Sequence, residues 1–280
     1  MRGRNAGGFA GIIGWPLGFT LSPAMHNAAF KRVGTDWVYL PFPVPPESLE
    51  KAMAGFRVLG VRGLNVTMPH KEAVISFLDD LSAEAEAIGA VNTIEVVDDR
   101  LIGHNTDVTG FREFLQNDAG WDGEGRSGLI LGAGGAARAV VASLSDMGLG
   151  SITIAARDPD KAALLALPDG MTILPWDQAE RAVGDADIVV NTTPIGMKGE
   201  DLLADATFGP GQTVVDLIYH PPSTKLIDRA RAQKAEAWSG LGMLVHQAVG
   251  SFRIWTGKEP PIEIMSAAAV HSLGLGRSGD

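Results

Sequence analysis

Short apolar runs alternate with amphipathic segments along most of the chain. In the first half, runs typical of strands lie at residues 9–13, 37–40, 63–67, 91–97 and 101–104. Apolar residues at helical spacing predict helices at 22–33, 46–56 and 108–116. Ser22 is the expected N-cap of the first helix, with Pro23 at its N1 position. The alternation predicts a mainly parallel α/β architecture.

The second half repeats this alternation after a polar junction. Residues 117–128 contain four glycines and few apolar side chains, which is typical of a boundary between domains. Predicted strands follow at 128–131, 151–156, 188–191 and 213–217, with helices at 135–144, 160–167, 241–255 and 262–275. We therefore expect a first domain at 1–116, a second at 117–239, and C-terminal helices at 240–280.

Composition narrows the class of protein. The chain has 280 residues, of which 45% are hydrophobic and 20% charged, so it can build sizeable cores and two domains are a reasonable expectation. It has no cysteine, which excludes disulfides, zinc ribbons, iron–sulfur clusters and a cysteine nucleophile. The net charge of −10 argues against a nucleic-acid partner.

The N-terminus superficially resembles a signal peptide. Arg2 and Arg4 precede the apolar stretch 9–19, but glycines and Pro16 interrupt that stretch and no cleavage site follows. We predict a buried first strand there instead. No apolar run is long enough to span a membrane. The expected protein is cytoplasmic, without a membrane partner.

A glycine-rich turn follows the first strand of the second half. Residues 132–137 (GAGGAA) fit the dinucleotide-binding pattern G-x-G-x-x-G/A between a strand and a helix. Gly132 would permit the tight turn, Gly134 would let backbone N–H groups approach a pyrophosphate, and Ala137 would keep the helix close to the sheet. The alternative is a small-residue turn that only packs the helix on the sheet.

The end of the next strand bears on cofactor choice. Arg157 can bind the 2′-phosphate of NADP, whereas Asp158 can bind the ribose hydroxyls of NAD and repel that phosphate. Asp158 can equally cap the following helix, because Pro159 would stand at N1. Arg157 favours NADP, and NAD remains the alternative.

Three polar clusters lie at predicted strand ends or turns, where α/β folds bind ligands. They are residues 20–23 (TLSP), residues 65–71 (NVTMPHK), and residues 89–93 (GAVNT) together with 104–107 (HNTD). Their hydroxyls, amides, lysine and aspartate suit a polyhydroxylated acid. Each also has a structural interpretation, since Ser22 can cap a helix, Asn92 can brace a loop and Lys71 can be a solvated surface charge.

These clusters resemble the signature of the shikimate dehydrogenases. The similar blocks are, in order, residues 14–26 (GWPLGFTLSPAMH), 65–71 (NVTMPHK), 89–93 (GAVNT), 105–107 (NTD), 191–197 (NTTPIGM), 216–219 (DLIY) and 242–247 (GMLVHQ). The resemblance implies an N-terminal α/β substrate-binding domain, a Rossmann cofactor domain, and C-terminal helices that return to the first domain. It also implies reversible reduction of 3-dehydroshikimate to shikimate with NADPH, a step of aromatic amino-acid precursor biosynthesis.

The resemblance also implies roles for individual residues. Thr20 and Ser22 would hold the substrate carboxylate with Tyr219 nearby, and the substrate hydroxyls would be held by Thr67, Asn92 and Gln247. Lys71 and Asp107 would be the catalytic pair. Residues implied in cofactor binding are Gly132, Ala133, Gly134, Gly135, Ala136, Arg157, Asp158, Thr192, Met197 and Gly240.

Carbonyl reduction agrees with the role of Lys71. Hydride transfer to a ketone leaves negative charge growing on its oxygen, which needs a cation and a proton nearby. A lysine supplies both, and a neighbouring carboxylate can orient it and relay protons. We therefore expect Lys71 to be the general acid and Asp107 its partner.

Two departures from the family pattern leave the specificity open. Thr20 stands where the family usually has serine, and Asp158 stands where NADP-dependent members usually have threonine. The nearest rival is a quinate/shikimate dehydrogenase that uses NAD. Retention of Lys71 and Asp107 disfavours a non-catalytic Rossmann protein that senses a metabolite, and the scattered histidines disfavour a metal-dependent hydrolase. The sequence is compatible with a monomer or a homodimer.

Overall fold

The structure is a computed structural model that describes residues 7–163 and 171–275. The chain forms two compact units. Unit 1 combines residues 7–106 with residues 245–275, and unit 2 is Asp107–Leu244. Unit 2 thus begins before the predicted boundary at 117, because the helix Asp107–Asn117 packs on the helix Gly135–Asp146 that follows the glycine-rich turn.

Unit 1 is built on a mixed six-stranded sheet with the order β2-β1-β3-β5-β6-β4. β1 is parallel to β2 and β3, whereas β5 is antiparallel to β3 and β6. The antiparallel β5–β6 hairpin departs from a wholly parallel pattern. The strands are β1 (Gly8–Gly14), β2 (Trp37–Pro43), β3 (Gly63–Val66), β4 (Asp80–Leu81), β5 (Thr93–Val97) and β6 (Arg100–His104).

Helices cover the sheet of unit 1. Short 3-10 turns precede α2 and follow α3. The helices are α1 (Ser22–Arg32), α2 (Leu49–Leu59), α3 (His70–Ala73), α4 (Ala83–Ile88) and, from the C-terminal part of the chain, α10 (Leu241–Thr256) and α11 (Ile262–Ser272). The sequence pattern predicts neither α3 nor α4, because each is too short to show helical periodicity.

The predicted capping role of Ser22 is wrong. The carbonyl of Leu21 accepts the N–H of Met25 at 3.1 Å, so Leu21 occupies the N-cap and Ser22 is the first helical residue. Pro23 still lies in the first turn, where its missing N–H costs no helical hydrogen bond. The Ser22 hydroxyl is therefore not used as a helix cap.

The open edge of the sheet at β2 is blocked. The backbone N–H and C=O groups of the even-numbered residues of β2 point towards β1. The bond from the Val44 N–H to the Gly14 carbonyl, at 3.0 Å, shows this register. Of the odd-numbered residues that face outward, Pro41 and Pro43 have no N–H to donate. The Asn27 side chain accepts the Tyr39 N–H at 2.8 Å and donates to the Tyr39 carbonyl at 3.0 Å. These features deny the edge to another strand.

Unit 2 has an all-parallel six-stranded sheet with the order β12-β11-β10-β7-β8-β9. This is the doubly wound Rossmann order, whose switch point lies between β7 and β10. The elements are α5 (Asp107–Asn117), β7 (Ser127–Leu131), α6 (Gly135–Asp146), β8 (Ser151–Ala156), α7 (Pro159–Ala163), β9 (Thr172–Pro175), α8 (Ala179–Ala182), β10 (Ile188–Asn191), β11 (Thr213–Asp216), α9 (Lys225–Ala232) and β12 (Glu236–Ser239). The end of the helix predicted at 160–167 lies outside the described residues.

Each unit has its own core. In unit 2, α5 and α6 pack on one face of the sheet through Phe111, Phe114 and Val140. In unit 1, the β-sheet packs on α2 through Met53 and Phe56. A second layer of unit 1 is aromatic and joins α1, β2 and α10 around His26.

Candidate active site

The carboxyl ends of β1 and β3 form one side of the candidate site in unit 1. Thr67 follows β3, and its N–H donates to the Ile13 carbonyl at 2.9 Å. A cis peptide bond joins Met68 to Pro69, and Lys71 comes next in α3. The Lys71 carbonyl accepts the Val91 N–H at 2.8 Å, which brings the 89–93 loop against the segment that carries Lys71.

Asn92 lies at the centre of this loop and is buried. Its side-chain oxygen accepts the Thr106 N–H at 2.8 Å, the Thr93 hydroxyl at 2.9 Å and the Thr106 hydroxyl at 3.2 Å. One side-chain N–H donates to the Thr106 hydroxyl oxygen at 2.9 Å. Because three donors already bind the oxygen, the amide of Asn92 acts towards a ligand as a hydrogen-bond donor.

Ser22 and Thr20 form a small hydroxyl pair before α1. The Thr20 hydroxyl oxygen accepts the Ser22 N–H at 3.3 Å, which leaves its own O–H as a donor. The Ser22 hydroxyl hydrogen-bonds to the buried hydroxyl of Tyr39. Burial raises the pKa of Tyr39 well above its usual value, and the Ser22 bond offsets part of that rise, so Tyr39 remains neutral.

Gln247 is nearly buried on α10. One turn later, the Ser251 hydroxyl contacts the Gln247 carbonyl at 3.1 Å, and Trp255 donates its ring N–H to the Ile94 carbonyl at 2.9 Å. Gly63 leaves room for the Trp255 ring, because a Cβ on Gly63 would lie 2.3 Å from Trp255 Nε1. Unit 1 therefore contains Thr20, Ser22, Thr67, Lys71, Asn92 and Gln247.

The glycine-rich turn of unit 2 has the expected form. Gly132 has a φ of +107°, and a Cβ there would lie 2.8 Å from Thr192 Oγ1. Gly134 has no neighbour within 4 Å of a Cβ position and precedes α6 as its N-cap. Ala137 is fully buried in the core under α6. The open N-terminus of a twelve-residue helix suits a phosphate group.

A second loop meets this turn at the switch point. The Thr192 N–H and hydroxyl both donate to the Leu131 carbonyl, at 3.0 and 2.6 Å, which joins the end of β10 to that of β7. The loop continues through Gly196, at a φ of +118°, to the exposed Met197. Glu200 accepts the Gly196 and Lys198 N–H groups at 3.0 and 2.9 Å. The backbone N–H of Glu200 itself, followed by those of Lys198 and Gly196, lowers the pKa of the Glu200 carboxyl.

Asp216 organises the neighbouring loop that carries Tyr219. Its buried carboxylate accepts Asn191 Nδ2 at 2.9 Å, the Ile218 N–H at 3.1 Å and the Thr224 hydroxyl at 2.7 Å. Desolvation raises the pKa of Asp216, and these three bonds oppose the rise. Tyr219 itself is half-buried.

The remaining predicted residues of unit 2 lie at three places. Gly240 precedes α10 so close to the Leu217 carbonyl oxygen that a Cβ would lie 2.1 Å from it. Arg157 and Asp158 are exposed at the end of β8, and the Asp158 carbonyl accepts the Ala162 N–H at 3.1 Å, so Asp158 stands at the N-cap position of α7. Asp107 is buried as the first residue of α5. Lys71 and Asp107 belong to different units, and their pairing stays a prediction.

The polar side chains behind the site are not predicted from the sequence. Tyr39 and Ser251 are buried and hydrogen-bonded to Asn65, a residue that the sequence pattern marks only as part of a motif. Ser251 had a detectable signal, because it lies four residues after Gln247 and four before Trp255, on one helix face. Tyr39 had none, since a tyrosine in an apolar strand is typical of a core.

Three family descriptions match the chain in order. "Shikimate dehydrogenase substrate binding domain" matches residues 12–94, "Shikimate / quinate 5-dehydrogenase" residues 116–196, and "Shikimate 5'-dehydrogenase C-terminal domain" residues 240–270. A relative from Methanothermobacter thermautotrophicus, named shikimate dehydrogenase (NADP(+)), is 45% identical over 268 residues, which cover 92% of this chain and 94% of the relative. The chain belongs to the shikimate dehydrogenase family.

Solved structures of the family share the fold. A shikimate dehydrogenase in complex with NADP+ has a TM-score of 0.86 and 37% identity, covering 95% of this chain and 96% of its own. The Thermus thermophilus enzyme in complex with NADP(H) and shikimate has a TM-score of 0.83 and 36% identity, covering 95% and 99%. The predicted family and the predicted fold class are confirmed.

Two further observations concern other kinds of site. Within residues 7–163 and 171–275, no group of three His, Asp or Glu side chains could hold a metal ion. In the same ranges, no helix is long and apolar enough to cross a bilayer.

Proposed function

We propose that this protein catalyses the reversible reduction of 3-dehydroshikimate to shikimate with NADPH, as a cytoplasmic enzyme of aromatic amino-acid precursor biosynthesis. One observation supports the substrate side most directly. The bond from the Val91 N–H to the Lys71 carbonyl, at 2.8 Å, joins the backbone of Lys71 to the loop that carries the buried donor amide of Asn92. A polyhydroxylated keto acid presents oxygen atoms that the side chains of Lys71 and Asn92 can bind.

The residues of unit 2 fit a nicotinamide dinucleotide. Gly134 leaves space for a pyrophosphate at the N-terminus of α6, and Gly132 keeps Thr192 close behind the turn. Arg157 is exposed at the end of β8, where a ribose 2′-phosphate would lie in a Rossmann fold. NADPH would be held by Gly132, Ala133, Gly134, Gly135, Ala136, Arg157, Asp158, Thr192, Met197 and Gly240, and it supplies the hydride.

The substrate residues then have distinct roles. Thr20, Ser22 and Tyr219 bind the carboxylate, and Thr67, Asn92 and Gln247 bind the hydroxyls. Lys71 stabilises the charge that grows on the carbonyl oxygen and donates a proton to it. Asp107 orients Lys71 and returns the proton. In the reverse direction Lys71 accepts the proton from the shikimate hydroxyl.

Replacement of Lys71 tests the proposal. Lys71→Ala should lower kcat by about 10²-fold or more, because it removes both the cation and the proton donor, while the Kd for shikimate changes by only a few fold. The measurements are steady-state rates and calorimetric binding. Lys51→Ala, which removes an exposed lysine from α2 of the same unit, is the control and should match the unmodified protein. Near-normal kcat in Lys71→Ala would overturn the assignment.

A second candidate function is a quinate/shikimate dehydrogenase that uses NAD. Two positions favour it. The half-buried Thr20 adds a methyl group where the family usually has serine, and the exposed carboxylate of Asp158 would repel the 2′-phosphate of NADP. Initial rates with shikimate and quinate, each against NADP+ and NAD+, separate the candidates. The principal proposal expects the highest kcat/KM with shikimate and NADP+.

A further inference from the structure

The hydroxyl of Ser251 lies at the centre of a buried polar cluster in unit 1. Ser251 is fully buried on α10. Its Oγ is 2.9 Å from Asn65 Nδ2, 2.8 Å from the Thr93 hydroxyl and 3.3 Å from the Thr106 hydroxyl. It is also 3.1 Å from the Gln247 carbonyl. One hydroxyl thus joins four other residues, including a member of the proposed substrate site.

The directions of these bonds follow from the available protons. Asn65 Nδ2 also donates to the Asn92 carbonyl at 3.2 Å, and a carbonyl can only accept, so the Asn65 amide orientation is fixed. Its oxygen accepts the Tyr39 hydroxyl at 2.7 Å. Ser251 Oγ therefore accepts a proton from Asn65. The single hydroxyl proton of Ser251 is then donated to one of three oxygen atoms, the hydroxyl of Thr93, the hydroxyl of Thr106 or the carbonyl of Gln247.

Both threonines that touch Ser251 also hold Asn92. The Thr93 and Thr106 hydroxyls donate to the Asn92 side-chain oxygen at 2.9 and 3.2 Å. The helix backbone approaches this cluster closely at Gly250, where a Cβ would lie 3.1 Å from Thr106 Cβ. Ser251 thus contacts both hydroxyl groups that, together with the Thr106 N–H at 2.8 Å, bind the Asn92 side-chain oxygen and hold its amide in place.

We propose that Ser251 is a positioning residue for substrate binding, which acts through Thr93 and Thr106 to aim the Asn92 side-chain N–H at a substrate hydroxyl oxygen. The inference rests on the proposed function, in which Asn92 binds that hydroxyl. Loss of Ser251 Oγ removes one of the three acceptors near Asn65 Nδ2, of which the Asn92 carbonyl and the Thr93 hydroxyl remain at 3.2 Å. It also removes a hydrogen-bonding neighbour of both threonine hydroxyls. Asn92 keeps the Thr106 N–H bond to its side-chain oxygen, but its side chain is held less rigidly, although it loses no atom of its own.

The test is a double-mutant cycle on shikimate affinity, measured by calorimetry without NADPH. Asn92→Ala should weaken shikimate binding because it removes the donor itself. Ser251→Ala should weaken it about tenfold, the effect of roughly 1.4 kcal/mol, which is within the usual range for a buried polar group that loses its partner. In the Asn92→Ala background, Ser251→Ala should change the affinity less than twofold. The Kd for NADPH should remain unchanged throughout.

A matched control lies on the same helix. Thr256 is buried on α10, and its hydroxyl donates to the Phe252 carbonyl at 2.7 Å, four residues earlier. The Ser251 hydroxyl has the same relation to the Gln247 carbonyl, at 3.1 Å. Thr256→Val removes that hydroxyl without touching the Asn92 cluster, so shikimate affinity should stay unchanged. If Ser251→Ala unfolds at the assay temperature, Ser251→Cys fills the position with a weaker hydrogen-bonding group and carries the same expectation.

Each result supports or overturns one statement. If Asn92→Ala binds shikimate normally, the proposed role of Asn92 fails and the positioning role of Ser251 fails with it. If Asn92→Ala weakens binding but Ser251→Ala does not, only the positioning role is overturned. Equal losses from Ser251→Ala with and without Asn92 would indicate general loosening of unit 1 and would also overturn it.

Discussion

His26 is a titratable side chain enclosed by aromatic rings. Its ring stacks on Tyr39 at a centroid distance of 4.5 Å and lies 5.2 Å from the Trp255 ring. Neither ring nitrogen has a hydrogen-bond partner among the described residues, and burial lowers the pKa of His26 to about 3. The folded protein therefore holds the imidazole neutral at every pH near neutrality.

We predict that His26 makes the protein sensitive to acid. The unfolded chain binds a proton at His26 below about pH 6.5, whereas the folded chain does so only near pH 3. The free energy of unfolding is therefore unaffected by His26 above pH 6.5 and decreases as the pH falls from 6.5 towards 3. The slope from this one residue is about 1.4 kcal/mol per pH unit. His26→Phe should remove that part of the slope between pH 6 and 4 in urea unfolding, and exposed His271→Ala should retain it.

Gly132 and Gly134 share a motif but serve different purposes. Gly132→Ala places a Cβ at a φ of +107° and 2.8 Å from Thr192 Oγ1, so it should lower the melting temperature of the protein without ligand. Gly134→Ala meets no neighbour and has a φ of −94°, so that melting temperature should not change. Gly134→Ala should instead weaken NADPH binding, by about tenfold or more, in fluorescence titration. Equal stability of the two variants would contradict this separation.

At the scale of elements, β2 shows how a helix residue can protect a sheet edge. Asn27 of α1 occupies both backbone groups of Tyr39, and the two prolines remove the remaining outward donors after Tyr39. The strand nevertheless exposes Val38 and Leu40 by 45% and 40%. Without Asn27, β2 would offer an unpaired edge flanked by apolar side chains.

Asn27→Ala should therefore promote self-association. The change frees the Tyr39 N–H and carbonyl, so sedimentation velocity at tens of micromolar protein should show more oligomer than the unmodified protein. Stability should fall by about 1–3 kcal/mol, since two hydrogen bonds are lost. Lys31→Ala, at an exposed position of the same helix, serves as the control and should change neither quantity. An unchanged sedimentation profile for Asn27→Ala would show that the edge is protected by the prolines alone.

Elements also show what the sequence could and could not predict. Long periodic segments were predictable, and α10 at Leu241–Thr256 extends the predicted helix by one residue. The four-residue α3 that carries Lys71 was not, because so short a helix shows no helical periodicity. The residues proposed to contact ligands stand in sequence motifs. Tyr39 and Ser251 instead hydrogen-bond to Asn65, which is distant from both in sequence, and spacing does not reveal such contacts.

At the scale of the whole molecule, one unit is continuous and the other is not. Within the described part of the chain, the cores of unit 2 draw only on residues between Phe111 and Met243. Unit 1 needs the C-terminal helices, because Phe252 lies 5.2 Å from Phe30 and Trp255 lies 6.1 Å from Tyr39, measured between ring centroids. The core of unit 2 therefore comes from one continuous segment of the chain, whereas the core of unit 1 needs two segments.

This difference predicts the behaviour of fragments. Residues 107–244 alone should unfold cooperatively on heating and bind NADPH, because their sheet and both core clusters are intact. Residues 1–106 alone should show no cooperative unfolding, since α10 and α11 are missing. Addition of a 245–280 peptide should restore it. Circular dichroism and NADPH fluorescence measure both properties, and cooperative melting of the 1–106 fragment by itself would show that unit 1 does not depend on its C-terminal helices.

The discontinuity of unit 1 also orders events during synthesis on the ribosome. After Thr106 is made, roughly 150 more residues must be added before Thr256 completes α10, which takes about 8–30 s at about 5–20 residues per second. Unit 2 can fold within that interval, whereas the first 106 residues cannot complete their core until α10 has been synthesised. For those seconds the nascent chain carries the sheet of unit 1 without its C-terminal helices, and Asn27 with the two prolines of β2 blocks one edge of that sheet against other chains.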